Sequence, residues 1–137
     1  VGEAFAEVDG VNAMTDVTGF GLAGHLLEIC RGSGVKATVS RKAIPTLPNL
    51  QPYIDADCIP GGTHRNAAAF GKAISGMTEA DKLLFCDPQT SGGLMVSVAE
   101  SSREAFEAAA REQGLELQPM GRLEAAGSEQ SLVFIED

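Results

Sequence analysis

Gly19, Gly21 and Gly24 crowd one short stretch, Thr15-Asp16-Val17-Thr18-Gly19-Phe20-Gly21-Leu22-Ala23-Gly24-His25, that otherwise reads as the start of an apolar helix. From Thr18 onward Leu22, Leu26 and Ile29, with Ala23, Leu27 and Cys30 beside them, recur at three- and four-residue steps. That periodicity predicts a helix reaching Arg31 and stopped by Gly32 or Gly34. Each helical glycine costs about 1 kcal/mol relative to alanine. Such a cluster therefore marks a place where another backbone, or a phosphate, approaches a helix end whose unpaired N–H groups favour anions. Asp16, just ahead of that end, either caps the helix or holds a cation that in turn holds a phosphate. Val11-Asn12-Ala13-Met14 reads as extended, so strand, tight polar turn and helix are expected in succession. His25, with no metal-ligand partner at ligand spacing, reads as a packed or capping residue and receives no chemistry.

The rest of the chain supplies a frame for that motif. Glu3 to Val8 reads as the last turns of a helix ending at Asp9-Gly10, and Val35 to Ser40 alternates as a strand with its valines inward. Pro45 and Pro48 enforce a loop, Leu50 to Ala56 forms a short helix, and Cys58 to Asn66 is dense in turn formers. Its Gly61 to Asn66 portion is a second candidate ligand loop, with a structural turn as the alternative. Thr78 starts an acidic-ended helix carrying Leu83, Leu84 and Phe85 inward, which must stop before Pro88. Asp87-Pro88-Gln89-Thr90-Ser91-Gly92-Gly93 then opens into the apolar strand Leu94 to Val98; its hydroxyls and glycines either present backbone N–H groups to an anion or merely start the strand. Ser101 and Glu104 form a capping box for a helix buried through Ala105, Phe106, Ala109 and Ala110 and closed by Gly114. Leu115 to Leu123 and Ser131 to Ile135 read as two final strands. The succession argues an α+β domain with a mixed β-sheet covered by helices.

Composition excludes several classes of function. A net charge of −9, with no basic run against it, repels nucleic acid and anionic membranes, and no apolar run approaches the ~20 residues of a membrane span. Cys30, Cys58 and Cys86 are widely separated, with no C-x-x-C pair and only His25 and His64 as imidazoles, so neither a disulfide framework nor a zinc site is supported. Cys30 and Cys86 read as small buried residues in a reducing, cytoplasmic setting. At 137 residues a single domain, residues 1–137, is expected. A start at Val1, within a helix end spanning residues 1–10, reads as a piece of a longer protein.

Thr15-Asp16-Val17-Thr18-Gly19-Phe20-Gly21, the Gly61-Gly62-Thr63 segment and Asp87-Pro88-Gln89-Thr90-Ser91-Gly92-Gly93, in that order, closely resemble the C-terminal domain of the selenophosphate synthetase (selenide, water dikinase) family. The wider group includes aminoimidazole ribonucleotide synthetase, thiamine-monophosphate kinase and a hydrogenase maturation factor, whose corresponding motifs read differently. The resemblance implies the fold of the aminoimidazole ribonucleotide synthetase C-terminal domain and an enzyme that makes selenophosphate from selenide, ATP and water, releasing AMP and phosphate. It implies a magnesium-using homodimer in which Asp16 is this half's metal ligand, with Thr18, Gly19, Thr90, Ser91, Gly92 and Gly93 facing ATP or its phosphates. It also places the catalytic thiol, its lysine and the other acidic ligands in an N-terminal domain. No catalytic residue is therefore expected in this chain, and the chain alone is expected to be inactive.

Overall fold

The period-two segment Val35–Ser40 is the strand around which the larger sheet forms. In the computed structural model, which describes all residues from Val1 to Asp137, six α-helices and six strands follow one another. They are α1 (Gly2–Ala6), β1 (Val11–Asp16), α2 (Gly21–Ser33), β2 (Val35–Ser40), α3 (Gln51–Asp55), α4 (Gly61–Phe70), β3 (Ile74–Ser75), α5 (Glu79–Phe85), β4 (Leu94–Val98), α6 (Arg103–Glu112), β5 (Gly121–Ala125) and β6 (Val133–Glu136). The expected α+β class holds, with the strands divided between two sheets.

The larger sheet has the order β3-β6-β2-β5 and is mixed, because β2 pairs parallel with β6 and antiparallel with β5. Ala37, Thr38 and Val39 are all buried in its centre. The last two strands therefore flank β2 instead of pairing with each other. The smaller sheet is the antiparallel ribbon β1–β4, with Asp16 opposite Leu94 and a one-residue bulge between Val11 and Ala13.

Two apolar clusters hold these layers. The main one joins Ala23, Leu26, Leu27 and Cys30 of α2 to Ala37 and Val39, to Val133 and Ile135, to Phe85 and Cys86, and to Met95 of the ribbon. The second packs Phe5 of α1 on Phe106 and Ala110 of α6, ring centroids 4.7 Å apart, with Val11, Val96 and Val98 against them. Successive residues of a strand face opposite sides. Met95 thus serves the first cluster while Val96 and Val98 serve the second.

Several boundaries differ from the sequence reading, each for a local reason. Helix α2 starts at Gly21, not Thr18: Gly21 has φ +68°, and the chain from Val17 to Phe20 is a turn. Its N-cap is Phe20, which makes no side-chain cap bond, and Asp16 ends β1; a capping role for Asp16 is thereby excluded. The helix stops at left-handed Gly34, one of the two glycines named for that task. Gly61 to Asn66 is no loop, because Pro60 at the N-cap opens the ten-residue helix α4 there.

The Ser101–Glu104 capping box does not form. A 3-10 turn over Glu100–Ser102 moves the cap to Ser102, so Glu104 stands one residue short of the position that would reach back to it. Phe106 and Ala110 carry the buried stripe of α6, whereas Ala105 is exposed. Gly114, at φ +74°, closes that helix through Leu115 N–H to the Ala110 carbonyl at 2.9 Å. The next strand is delayed past Pro119 and occupies only Gly121–Ala125. By contrast the Thr78 cap is realised in full, its side chain bonding the Asp81 amide while Asp81 accepts from Thr78 N–H at 2.7 Å.

Candidate functional site

The two seven-residue motifs meet as neighbouring backbone. Leaving the ribbon, Val17 N–H donates to the Gly93 carbonyl at 2.9 Å and the Gly92 N–H donates to the Val17 carbonyl at 3.2 Å. One residue on, the Thr18 carbonyl accepts from Gln89 N–H and from Gly21 N–H, both at 3.0 Å. The turn Val17 to Phe20 and the loop Asp87 to Gly93 are thus hydrogen-bonded into one surface at the end of β1 and β4.

The third segment locks that surface from beneath. Thr63 and Asn66, three residues apart on α4, share one helix face and are buried. Asn66 Nδ2 donates to the Gly19 carbonyl and to the Cys86 carbonyl, each at 2.9 Å. Thr63 Oγ1 donates to Asp87 Oδ1 at 3.0 Å, and Gln89 Nε2 donates to Asp87 Oδ2 at 2.7 Å. Buried backbone carbonyls need such donors. The expectation of a ligand loop over Gly61 to Asn66 included Asn66 but not this inward role, for which the three-residue step between Thr63 and Asn66 was the available signal.

The motif glycines divide into two kinds. A Cβ at Gly21 would lie 2.8 Å from the Phe85 and Asp87 carbonyl oxygens, one at Gly92 would lie 2.6 Å from the Val17 carbonyl oxygen, and one at Gly62 would lie 2.8 Å from Pro88 Cγ. Gly24 similarly admits the Phe70 ring. These serve close packing within the chain. Gly19 and Gly93 meet nothing within 4 Å, so they border open space on the outer side of the same surface.

Asp16 is exposed at the end of β1, and no cation or donor of this chain reaches its carboxylate. Thr90, Ser91, Gly92 and Gly93 are exposed nearby in register, since Leu94 pairs with Asp16. No three His, Cys, Asp or Glu side chains cluster in a way that could cage a metal. Asp16 alone would hold a cation here only as one ligand among several, as Mg²⁺ does when it keeps its waters and takes one or two carboxylates alongside phosphate oxygens.

His25 is buried in α2 and not solitary. Its Nε2 lies 3.2 Å from Thr18 Oγ1 and its Nδ1 lies 3.1 Å from Glu28 Oε2, one turn on, a carboxylate the spacing argument overlooked. Cys30 and Cys86 are fully buried and burial pushes both thiols up, the opposite of what a nucleophilic thiolate requires. Cys58 is exposed in the segment before α4.

The chain belongs to the family described as AIR synthase related protein, C-terminal domain, which matches residues 1–133. Among curated relatives it is similar to the selenide, water dikinase of Colwellia psychrerythraea, with 52% identity over 93% of this chain and 37% of that protein. It is similar to that of Aeromonas salmonicida at 49% identity over 99% of this chain and 39% of the relative, and to that of Yersinia pestis at 49% over 98% and 38%. The chain thus spans less than two fifths of the length of these relatives. No helix is long and apolar enough to cross a membrane.

Proposed function

We propose that this chain is the C-terminal domain of a selenide, water dikinase, an ATP-dependent phosphotransferase that makes selenophosphate from selenide and water with release of AMP and orthophosphate. Curated relatives of that name match along nearly the whole chain at about half identity. The observation that carries the reading is the unpartnered Asp16 carboxylate, set by the register of β1 and β4 near Gly19 and Gly93, the two motif glycines that border open space.

In this reading Asp16 contributes one carboxylate to magnesium, which neutralises and orients the nucleotide phosphates. Gly19 and Gly93 leave room for the opposing surface to come close, and Thr90, Ser91 and Gly92 face the phosphates. An N-terminal ATP-binding domain supplies the thiol, the lysine and the remaining acidic ligands, so this half alone turns nothing over. The working enzyme is a cytoplasmic homodimer.

Asp16→Asn in the longer enzyme tests the metal role. Asp16 makes no contact that asparagine would lose, so the melting temperature should hold while selenide-dependent AMP formation falls by at least the roughly ten-fold that loss of a residue merely orienting a metal ligand costs. Unchanged activity at ordinary magnesium concentration would remove Asp16 from the site.

A further inference from the structure

The motif turn and the first turns of α2 carry a relay of three side chains: Thr18 Oγ1 to His25 Nε2 at 3.2 Å, and His25 Nδ1 to Glu28 Oε2 at 3.1 Å. An ionised carboxylate only accepts, so Glu28 requires the proton on Nδ1. In the neutral ring Nε2 is then left with its lone pair, and the only donor beside it is the Thr18 hydroxyl. The opposite tautomer would set the Nδ1 lone pair against carboxylate oxygen. Phe20, whose ring centroid is 5.6 Å from that of His25, offers no competing polar group. The Thr18 hydroxyl thereby gives its one proton inward and keeps lone pairs for whatever lies on its outer side.

We propose that His25, braced by Glu28, is a positioning residue that makes Thr18 a hydrogen-bond acceptor, so that Thr18 receives a water of a hydrated divalent cation held at Asp16 and does not donate to a phosphate oxygen. This rests on the metal reading of Asp16, which ends β1 two residues earlier, and changes the role of Thr18 from a residue facing ATP or its phosphates to a cation-shell acceptor. The Gly92 and Gly93 side of the surface keeps the phosphate-facing role.

The test uses the full chain labelled with ¹⁵N in its histidines and backbone. Long-range proton–nitrogen correlation should show His25 protonated at Nδ1 and bare at Nε2, and Glu28→Gln, at a largely exposed carboxylate, should raise the Nε2–H fraction without lowering the melting temperature. Mn²⁺ should then broaden the Thr18 and Gly19 amide resonances, with a midpoint raised about five-fold, the worth of one hydrogen bond, in Thr18→Val and Glu28→Gln. Thr18→Ser should restore it, and inorganic phosphate should leave the Thr18 amide unmoved. An Nε2–H tautomer in the unsubstituted chain, an unchanged Mn²⁺ midpoint in Thr18→Val, or a phosphate shift at Thr18 exceeding the Mn²⁺ effect would each overturn the proposal. Mn²⁺ broadening at Thr18 that survives Asp16→Asn yet weakens in Thr18→Val would sink the metal role of Asp16 while sustaining the acceptor role of Thr18.

Discussion

Asn66 Nδ2 bridges the Gly19 and Cys86 carbonyls, 2.9 Å from each, so one amide group ties the glycine turn to the end of α5. Asn66→Ala should leave both carbonyls short of a donor and cost about 1–3 kcal/mol. Asn66→Asp should cost more near neutral pH, because a carboxylate would point oxygen at oxygen. Urea midpoints with unchanged slopes measure both, and an aspartate variant as stable as the parent chain would refute the bridge.

The two open glycines make separable demands. Gly93 has φ +86°, a conformation that valine or alanine adopts only under strain of about 1–3 kcal/mol, so either substitution should destabilise the chain before any ligand is considered. Valine at this position is therefore not the neutral strand residue it would be if Gly93 merely began β4. Gly19 has no such φ and open space around it, so Gly19→Ala should leave stability within about 0.5 kcal/mol. In the longer enzyme proposed above, a fall in ATP turnover for Gly19→Ala, at unchanged melting temperature, would read out close approach by an opposing surface.

Acid should act through Asp81. Burial by itself pushes this carboxyl up, but the Arg41 guanidinium at 2.9 Å and the Thr78 amide and hydroxyl outweigh it and hold the group below its ordinary value of 3.8. A carboxyl lowered by folding stabilises the native state above its unfolded pKa, and that stabilisation is lost as pH falls through the folded value. The melting temperature should therefore drop more between neutral pH and about pH 3 in the parent chain than in Asp81→Asn. Equal pH slopes would exclude the Arg41–Asp81 pair as an acid-sensitive element.

Local signals were legible in the sequence where short-range chemistry decides structure. Val35–Ser40 and Leu94–Val98 are strands with the bounds their patterns predict, and Thr78 caps α5 as its spacing requires. The segments Thr15 to Gly21 and Asp87 to Gly93 were recognisable as special, but that they hydrogen-bond to each other depends on β1–β4 register between strands with α2 to α5 in between. Helix α4 was missed because Gly61 and Gly62 are turn formers locally. What favours the helix is distant, since Gly62 gives room to Pro88 and Thr63 and Asn66 find partners at Asp87, Gly19 and Cys86. The late start of α2 has the same origin, because Gly21 takes its left-handed φ against the Phe85 to Asp87 backbone. Most of the glycines first read as room for a ligand turn out to make room for the chain itself.

The ribbon β1–β4 resembles a beam fixed at both ends. At one end Val11 and Val98 are set into the Phe5–Phe106 cluster and Ala99 N–H bonds the Gly10 carbonyl at 2.8 Å; at the other, the bonds of Val17 with Gly92 and Gly93 and of Thr18 with Gln89 join the motif loops, which Asn66 ties to α4 and the end of α5. A lone two-stranded ribbon is marginal in water, yet this one is gripped from two cores and along two loops. Its outward side chains Met14, Asp16 and Leu94 are consequently presented on a stiff mount. An arriving surface meets a carboxylate whose backbone is already in place, and little of the binding free energy is consumed in ordering it.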